Sequence, residues 1–319
     1  MNEEDNKDKL VYILYHENCL DGWASAYLAY RFYIDRSIQQ IVLQPINYGR
    51  REQEVIKNIY NENDIIDEVM FVDFCPTQLT MDVLTGENMN VDSIVVLDHH
   101  VSRRHLMAKY AEEYTFSHNV RAKYSKTLSG VGLVWQHWRE QSDASEQLKL
   151  PCMFAAVQDR DLWQFKLANT KEICEALYCQ TLNPWTVDHW DELFYSPTEG
   201  LDNLINTGKT LLAYKENAYE QAMKDAQVVS LGHLTGRAIA GLAVNAPYEY
   251  ASEIGSRLAE QCGSFGMVWS YDGREGLVRC SIRGCHIDVL PIAQYYHGGG
   301  HDKAAGFTLP LSNLVDILR

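Results

Sequence analysis

At 319 residues, with 46% hydrophobic and 22% charged residues, the chain has a globular composition and is long enough for two domains, each with its own core. A formal net charge of −15 excludes a protein that coats duplex nucleic acid, since such binding uses lysines and arginines to neutralise phosphates. It does not exclude a small phosphorylated ligand held by metal ions, whose charge the count omits. The eight cysteines form no C-x-x-C pair, so free thiols in a reducing compartment are expected. The acidic, polar opening MNEEDNKDKL is unlike a signal or transit peptide, and no apolar run reaches the length of a membrane span. The expectation is a soluble, cytoplasmic protein with no membrane partner.

In chain order, LVYILYH at 10 to 16 reads as a buried strand ending in His16 and the loop ENCLDG. Asp21 and Gly22 then open a helical pattern with Trp23, Tyr27, Leu28 and Phe32 near one face. On local grounds alone, Asp21 is equally well a helix N-cap and His16 a satisfied strand end. QIVLQPIN at 40 to 47 is a second strand, and Tyr48-Gly49 a turn. EVMFVDF at 68 to 74 stops at Asp73 before Cys75-Pro76, and a helical TQLTMDVLTG leads into SIVVLDHH, whose apolar β-formers end abruptly in Asp98, His99 and His100. Strands alternating with helices imply βαβ units and a parallel sheet. His16, Asp73 and Asp98-His99-His100 would then share one sheet edge, where open α/β sheets bind ligands.

Helices are expected near 102 to 113 and 129 to 141, the second with Ser129 as N-cap and His137 as an ordinary helix-face histidine. CMFAAVQDRDLWQF at 152 to 165 sets an apolar run against Asp159 and Asp161. Trp163 and Phe165 beside them read as core or interface aromatics, not a base-stacking platform. Apolar positions from Leu201 to Ala226 predict a long amphipathic helix connecting two domains. From about residue 230, short alternating β-runs (RAIAGLAVNAP, FGMVWSYDG, LVRCSIRG) and two helical segments (YASEIGSRLAEQC, IDVLPIAQYY) predict a smaller α+β domain. In HGGGHDKAAGF, Gly298, Gly299 and Gly300 could turn backbone N–H groups towards an anion, with His301 and Arg283 adding side-chain donors. A bare triple glycine is otherwise a turn before a core strand.

Five motifs, HENCLDG at 16 to 22, FVDF at 71 to 74, LDHH at 97 to 100, QDRDLW at 158 to 163 and GGGHDKAAGF at 298 to 307, occur in an order that covers nearly the whole chain. Together they resemble the DHH phosphoesterase superfamily, in the branch with an associated C-terminal domain that includes nanoRNase and NrnB-like oligoribonucleases. The resemblance implies an α/β fold: a parallel-sheet DHH domain (1 to 195), a long linker helix (196 to 229) and a smaller α+β substrate-binding domain (230 to 319), with the active site in the cleft between the two. It also implies two divalent metal ions, Mn2+ first, with Zn2+, Fe2+ or Mg2+ as alternatives. His16 and Asp73 would hold one ion, and Asp21, Asp73, His99 and Asp159 the other, with Asp161 as a supporting partner. Asp98 would support or join the ligands, His100 would face the scissile phosphate, and Arg283, His301 and Gly298 to Gly300 would grip the substrate.

One departure stands out. The first motif of the family is usually H-x-D-x-D-G, whereas here the first aspartate is missing and Cys19 stands in its place, two residues before Asp21. A thiolate ligand would shift preference towards softer metals; alternatively Asn18 or water fills the position, or Cys19 merely packs. The expected reaction is two-metal hydrolysis of a short oligonucleotide or dinucleotide to mononucleotides. The alternatives are a phosphatase acting on polyphosphate, pyrophosphate or a 3'-phosphorylated nucleotide, and a nucleotide-binding regulator without turnover. No duplex nucleic acid is expected as a partner, and homodimerisation is left open.

Overall fold

The computed structural model describes residues 8 to 318, apart from 63–64, 87–88, 115–118, 142–148, 180–186, 196 and 232–238. The chain divides into two compact units, Met1–Leu211 and Leu212–Arg319.

In the first unit the chain runs β1 (Leu10–His16), α1 (Leu20–Ile34), β2 (Gln40–Ile46), α2 (Arg50–Glu62), β3 (Glu68–Val72), α3 (Gln78–Leu84), β4 (Ile94–Asp98), α4 (Arg104–Lys109) and β5 (Val120–Tyr124). The sheet order is β2-β1-β3-β4-β5, with every pair parallel. Parallel strands covered on both faces read as continuous apolar runs because alternate residues enter different cores. Val11, Ile13 and Tyr15 of β1 join one core with α1, while Tyr12 and Leu14 join the other with α2 and α3. The chain leaves β1 for β2 on one side and returns to place β3 on the other. The order therefore reverses between β1 and β3, which opens a crevice at their C-terminal ends. His16 closes β1 and Asp73 follows β3 at that point.

The strand β5 has no counterpart in the sequence reading. VRAKY carries Arg121 and Lys123 and lies at the sheet edge, where charge guards against further pairing and hides the apolar signal.

Four helices follow: α5 (Gly130–Glu140), α6 (Cys152–Asp161), α7 (Thr170–Cys179) and α8 (Val187–Tyr195). They pack on the α1 side through a stack of Tyr27, Phe154 and Trp190, with ring centroids 5.5 to 6.0 Å apart. His137 of α5 is a buried histidine against Phe32, its pKa pushed down to about 4 by burial and then by Arg121, Lys123 and Arg36. The long helix α9 spans Pro197–Met223, starting and ending a few residues earlier than the apolar pattern predicts. Proline fits its first turn, where no intrahelical N–H bond is lost.

The second unit contains β6 (Gln227–Leu231), β7 (Ile239–Asn245), α10 (Ala251–Cys262), β8 (Phe265–Asp272), β9 (Leu277–Gly284), α11 (Leu290–Tyr295), β10 (Gly299–Gly300), β11 (Ala304–Pro310) and α12 (Leu311–Ile317). The sheet order is β10-β11-β9-β8-β7-β6, with β7 and β8 parallel and the other pairs antiparallel. Arg237 and Ala238, which open the first β-run of the sequence reading, lie outside the described residues. All eight cysteines are free, and no helix among the described residues is long and apolar enough to cross a membrane.

Gly208 of α9 faces the backbone of α7, where an added Cβ would lie 1.9 Å from the Glu172 carbonyl oxygen. Backbone cannot yield as a side-chain tip does, so Gly208→Ala should cost about 1 to 3 kcal/mol of stability. Denaturant titration reads this directly, and an unchanged midpoint would show that the two helices do not pack this closely.

Candidate metal centre

The site is built from the ends of three neighbouring strands and the helices that close over them. Asp73 leaves β3 with φ at 54°, a left-handed conformation that a non-glycine residue adopts only under constraint, while its N–H donates to Leu97 O at 2.9 Å. The turn points its carboxylate at two imidazoles. His16 Nδ1 lies 3.5 Å from Asp73 Oδ2, and His99 Nε2 lies 3.1 Å from Asp73 Oδ1. His99 also reaches Asp161 Oδ2 at 3.2 Å and Asp21 Oδ2 at 3.9 Å. Asp98 holds His100 through Nδ1 at 2.7 Å, placing that ring 5.3 Å from His16 and 4.9 Å from His99.

The close packing of α1 and α5 onto this edge needs glycine. A Cβ at Gly22 would sit 2.2 Å from the His16 carbonyl oxygen, and one at Gly130 would sit 2.6 Å from Asp73 Cβ and 2.7 Å from Asp21 Oδ2. Asp21 also receives the N-terminus of α5. Its carboxylate accepts from Ser129 Oγ at 2.7 Å, Gly130 N at 2.5 Å and Val131 N at 3.2 Å. A carboxylate has about four lone-pair directions, so these bonds leave capacity for a cation.

The electrostatics describe a place short of positive charge. Burial, followed by repulsion from Asp161 and Asp73, holds the Asp21 carboxyl well above its usual range. Burial likewise raises Asp161 against the pull of His99. Burial opposes the charged form of Asp73 too, yet the neighbouring His16 and the hydrogen-bonded His99, with the charge of His100, win and hold it well below the usual range. Burial works against charged His99, but Asp161, Asp73 and Asp21 together push its pKa up to about 10.

Two three-residue donor sets lie within coordinating reach of one another in this unit: His16, Asp73 and His100, and Asp21, Asp73 and His99. They share Asp73. Among the described residues, His16 Nδ1, Asp73 Oδ2 and Asp161 Oδ2 are buried atoms without a hydrogen-bond partner, as expected of groups shaped for a ligand that is not a protein atom. Imidazole and carboxylate donors of this kind fit divalent cations such as Mn2+, Mg2+, Zn2+ or Fe2+.

The structure gives the two acids of α6 different surroundings. Asp159, chosen as the ligand, accepts from Lys166 N at 2.9 Å, Leu167 N at 3.0 Å and Thr170 Oγ1 at 2.6 Å, tying down the loop after α6. Residues two apart on a helix point to different sides, so only one of them can reach His99, and that one is Asp161. Reading the run as a helix would have exposed this conflict. Past the helix end, Trp163 is 39% exposed and is not a core residue. Cys19 precedes α1 in extended conformation and joins neither donor set. Burial, then Asp73, Asp161 and Asp21, pushes its thiol well above the usual range, which disfavours the thiolate that ligation needs.

The remaining predicted residues lie in the second unit. The glycines form a hairpin in which a Cβ at Gly298 would sit 2.0 Å from Gly306 O, and Gly300 has φ at 132°. His301 N donates to Ala304 O at 2.8 Å, and Ala304 pairs with Arg283 on β9. Arg283 donates to Ser281 Oγ, Ile282 O and Ser252 Oγ at 2.7 to 3.0 Å. The structure thus brings Arg283 and the glycine hairpin to one end of this sheet, and close strand pairing accounts for the glycines.

No known family model matches the chain. An uncharacterised protein of Acanthamoeba polyphaga mimivirus is 25% identical over 313 residues, covering 94% of this chain and 68% of its own length. Among solved structures, the DHH domain of a member of a ribosomal-protein family aligns with a TM-score of 0.61 at 14% identity, covering 97% of this chain and 85% of the other. Exonuclease RecJ bound to manganese aligns with a TM-score of 0.51 at 12% identity, covering 98% and 90%. The chain therefore carries the fold of DHH-domain proteins.

Exchanging the two acids separates their roles. Asp159→Asn should cost about 1 to 3 kcal/mol of stability and keep metal binding, whereas Asp161→Asn should keep the fold and weaken metal binding. A chelator-treated melt against one with added Mn2+ distinguishes them: the ion raises the melting temperature of wild type and Asp159→Asn, and not of Asp161→Asn. Equal responses in all three would contradict the assignment.

The pH dependence has a definite sign. Asp21 and Asp161 bind protons in the folded chain above the unfolded carboxyl value of about 3.9, so their contribution to metal-free stability is lost as pH rises above it. The raised His99 acts in the same direction, its contribution disappearing as pH climbs towards about 10. The depressed Asp73 acts only below the unfolded carboxyl value, where acid removes its contribution. Metal-free wild type should thus lose stability from weakly acidic to alkaline pH more steeply than Asp161→Asn, and parallel curves would count against a crowded carboxylate centre.

Proposed function

We propose that the chain is a metal-dependent phosphoesterase that hydrolyses phosphodiester bonds of short oligonucleotides or dinucleotides to mononucleotides, using two divalent ions. The observation that carries this reading is the pair of donor sets joined by Asp73 at the strand ends. In this reading His16 and Asp73 would hold one ion, and Asp21, Asp73, His99 and Asp161 the other, with Asp73 common to both sets. Mn2+ is the favoured ion: the donors are carboxylate and imidazole, and the RecJ structure of the same fold holds manganese. Bound divalent ions supply charge for the phosphate and acidify water, which is the chemistry that a phosphodiester at neutral pH requires.

The chain's own residues supply the rest. Asp98 fixes the His100 ring through Nδ1 and sets its orientation, so His100 can hydrogen-bond the phosphoryl oxygens or give a proton to the leaving oxygen. Interlocked side chains hold the carboxylates in place before substrate arrives, so little reorganisation is needed during reaction. Arg283, His301 and the glycines at 298 to 300, in the second unit, are proposed to bind a phosphate or terminal nucleotide of the substrate.

The test is a panel of dinucleotide, cyclic dinucleotide, 3'-phosphorylated nucleotide, pyrophosphate and polyphosphate, each with Mn2+, Mg2+ or Zn2+. Release of nucleoside monophosphate from the dinucleotide, abolished in Asp73→Ala, is expected. Orthophosphate release from pyrophosphate or polyphosphate alone would move the activity to phosphoanhydrides. Tight ligand binding without product under any ion would make the chain a regulator.

A further inference from the structure

Arg103 closes the short turn Val101–Arg103 that follows Asp98-His99-His100. Its guanidinium carbon lies 4.4 Å from the centroid of the Tyr48 ring. Phe74 stacks on Tyr48 at 4.4 Å with 23° between planes. One ring face cannot hold both groups, so the guanidinium and Phe74 cover opposite faces.

The Tyr48 ring borders the candidate centre, 5.8 Å from His16 and 6.4 Å from His100. His16 is also 6.1 Å from Phe74 and so flanks the gap between Phe74 and Tyr48. Arg103 lies beyond Tyr48 from that gap, one ring's thickness further along. The Tyr48 hydroxyl is buried with no hydrogen-bond partner among the described residues, which leaves the ring's faces as its means of interaction.

Among the described residues, the Arg103 side chain has no hydrogen bond or ion pair, and its guanidinium rests on the Tyr48 ring. A half-buried guanidinium that is oriented by stacking and has no protein acceptor presents its N–H fork to an outside oxyanion. Stacking removes much of the rotamer freedom that binding would otherwise have to remove.

We propose that Arg103, on its Tyr48 platform, is an anion subsite for a second phosphate of the substrate, next to the one being cleaved. The proposal rests on the phosphoesterase reading and narrows it to substrates that carry a further phosphate, such as a 5'-phosphorylated dinucleotide. The scissile phosphate is met by the donor sets and His100, whereas Arg103 is set back from them by the ring.

The test compares 5'-phosphorylated and unphosphorylated diadenylate as substrates of wild type and Arg103→Met. Calorimetric binding of adenosine 3',5'-bisphosphate in the presence of chelator gives a readout independent of metal and turnover. Wild type should prefer the 5'-phosphorylated substrate, and Arg103→Met should raise its KM by about tenfold or more, leave kcat and the unphosphorylated substrate nearly unchanged, and weaken bisphosphate binding. Arg103→Lys should recover part of the loss. Tyr48→Phe should behave as wild type, and Tyr48→Leu should share the loss.

Equal losses on the two dinucleotides, or none, would overturn the subsite. If wild type cleaves neither dinucleotide, the phosphodiesterase reading fails, and the calorimetric comparison still decides the subsite: bisphosphate binding unchanged in Arg103→Met overturns it.

Discussion

Three carboxylates, the buried Asp21 and Asp73 and the half-buried Asp161, converge on one imidazole, and the first unit is arranged to hold them there. Desolvation penalises each charge, and their mutual repulsion adds to the penalty. Protein atoms relieve only part of this: His99 is shared among all three, and the N-terminus of α5 serves Asp21. A fold that accumulates like charge without matching it internally is arranged for cations from outside.

The scaffold follows from that demand. Reversal of strand order between β1 and β3 opens the crevice, and the end residues of β1, β3 and β4 deliver His16, Asp73 and Asp98 to it from adjacent positions. Gly22 lets α1 close onto the His16 backbone, and Gly130 lets α5 close onto the Asp73 and Asp21 side chains. The strained turn at Asp73 is held by its bond to Leu97, so the carboxylate common to both donor sets is also a firmly fixed one. Asp159 acts one step removed, anchoring the loop after the helix that presents Asp161.

Much of this was legible in the amino-acid order. Apolar runs broken by Asp, His or Gly marked β1, β3 and β4, because a strand buried on both faces leaves an unmixed hydrophobic signature. Strands with a polar side were harder to see: the charged edge strand β5, and β6 with its exposed Val228, lack that signature. The choice between Asp159 and Asp161 turned on whether the preceding run was helical, since helical spacing sends the two side chains apart. Tyr48 and Arg103 gave no signal in the sequence. They are 55 positions apart, and only the folding of β2 and β4 into one sheet brings the guanidinium onto the ring.

The account stands or falls on Asp73 as a shared ligand. Crystals of the protein soaked in Mn2+ and measured at the manganese absorption edge give the most direct answer. Two anomalous peaks, one on each side of the Asp73 carboxylate and flanked by His16 and by His99 with Asp161, are predicted. Peaks elsewhere, or none beside Asp73 when the ion is in excess, would contradict it.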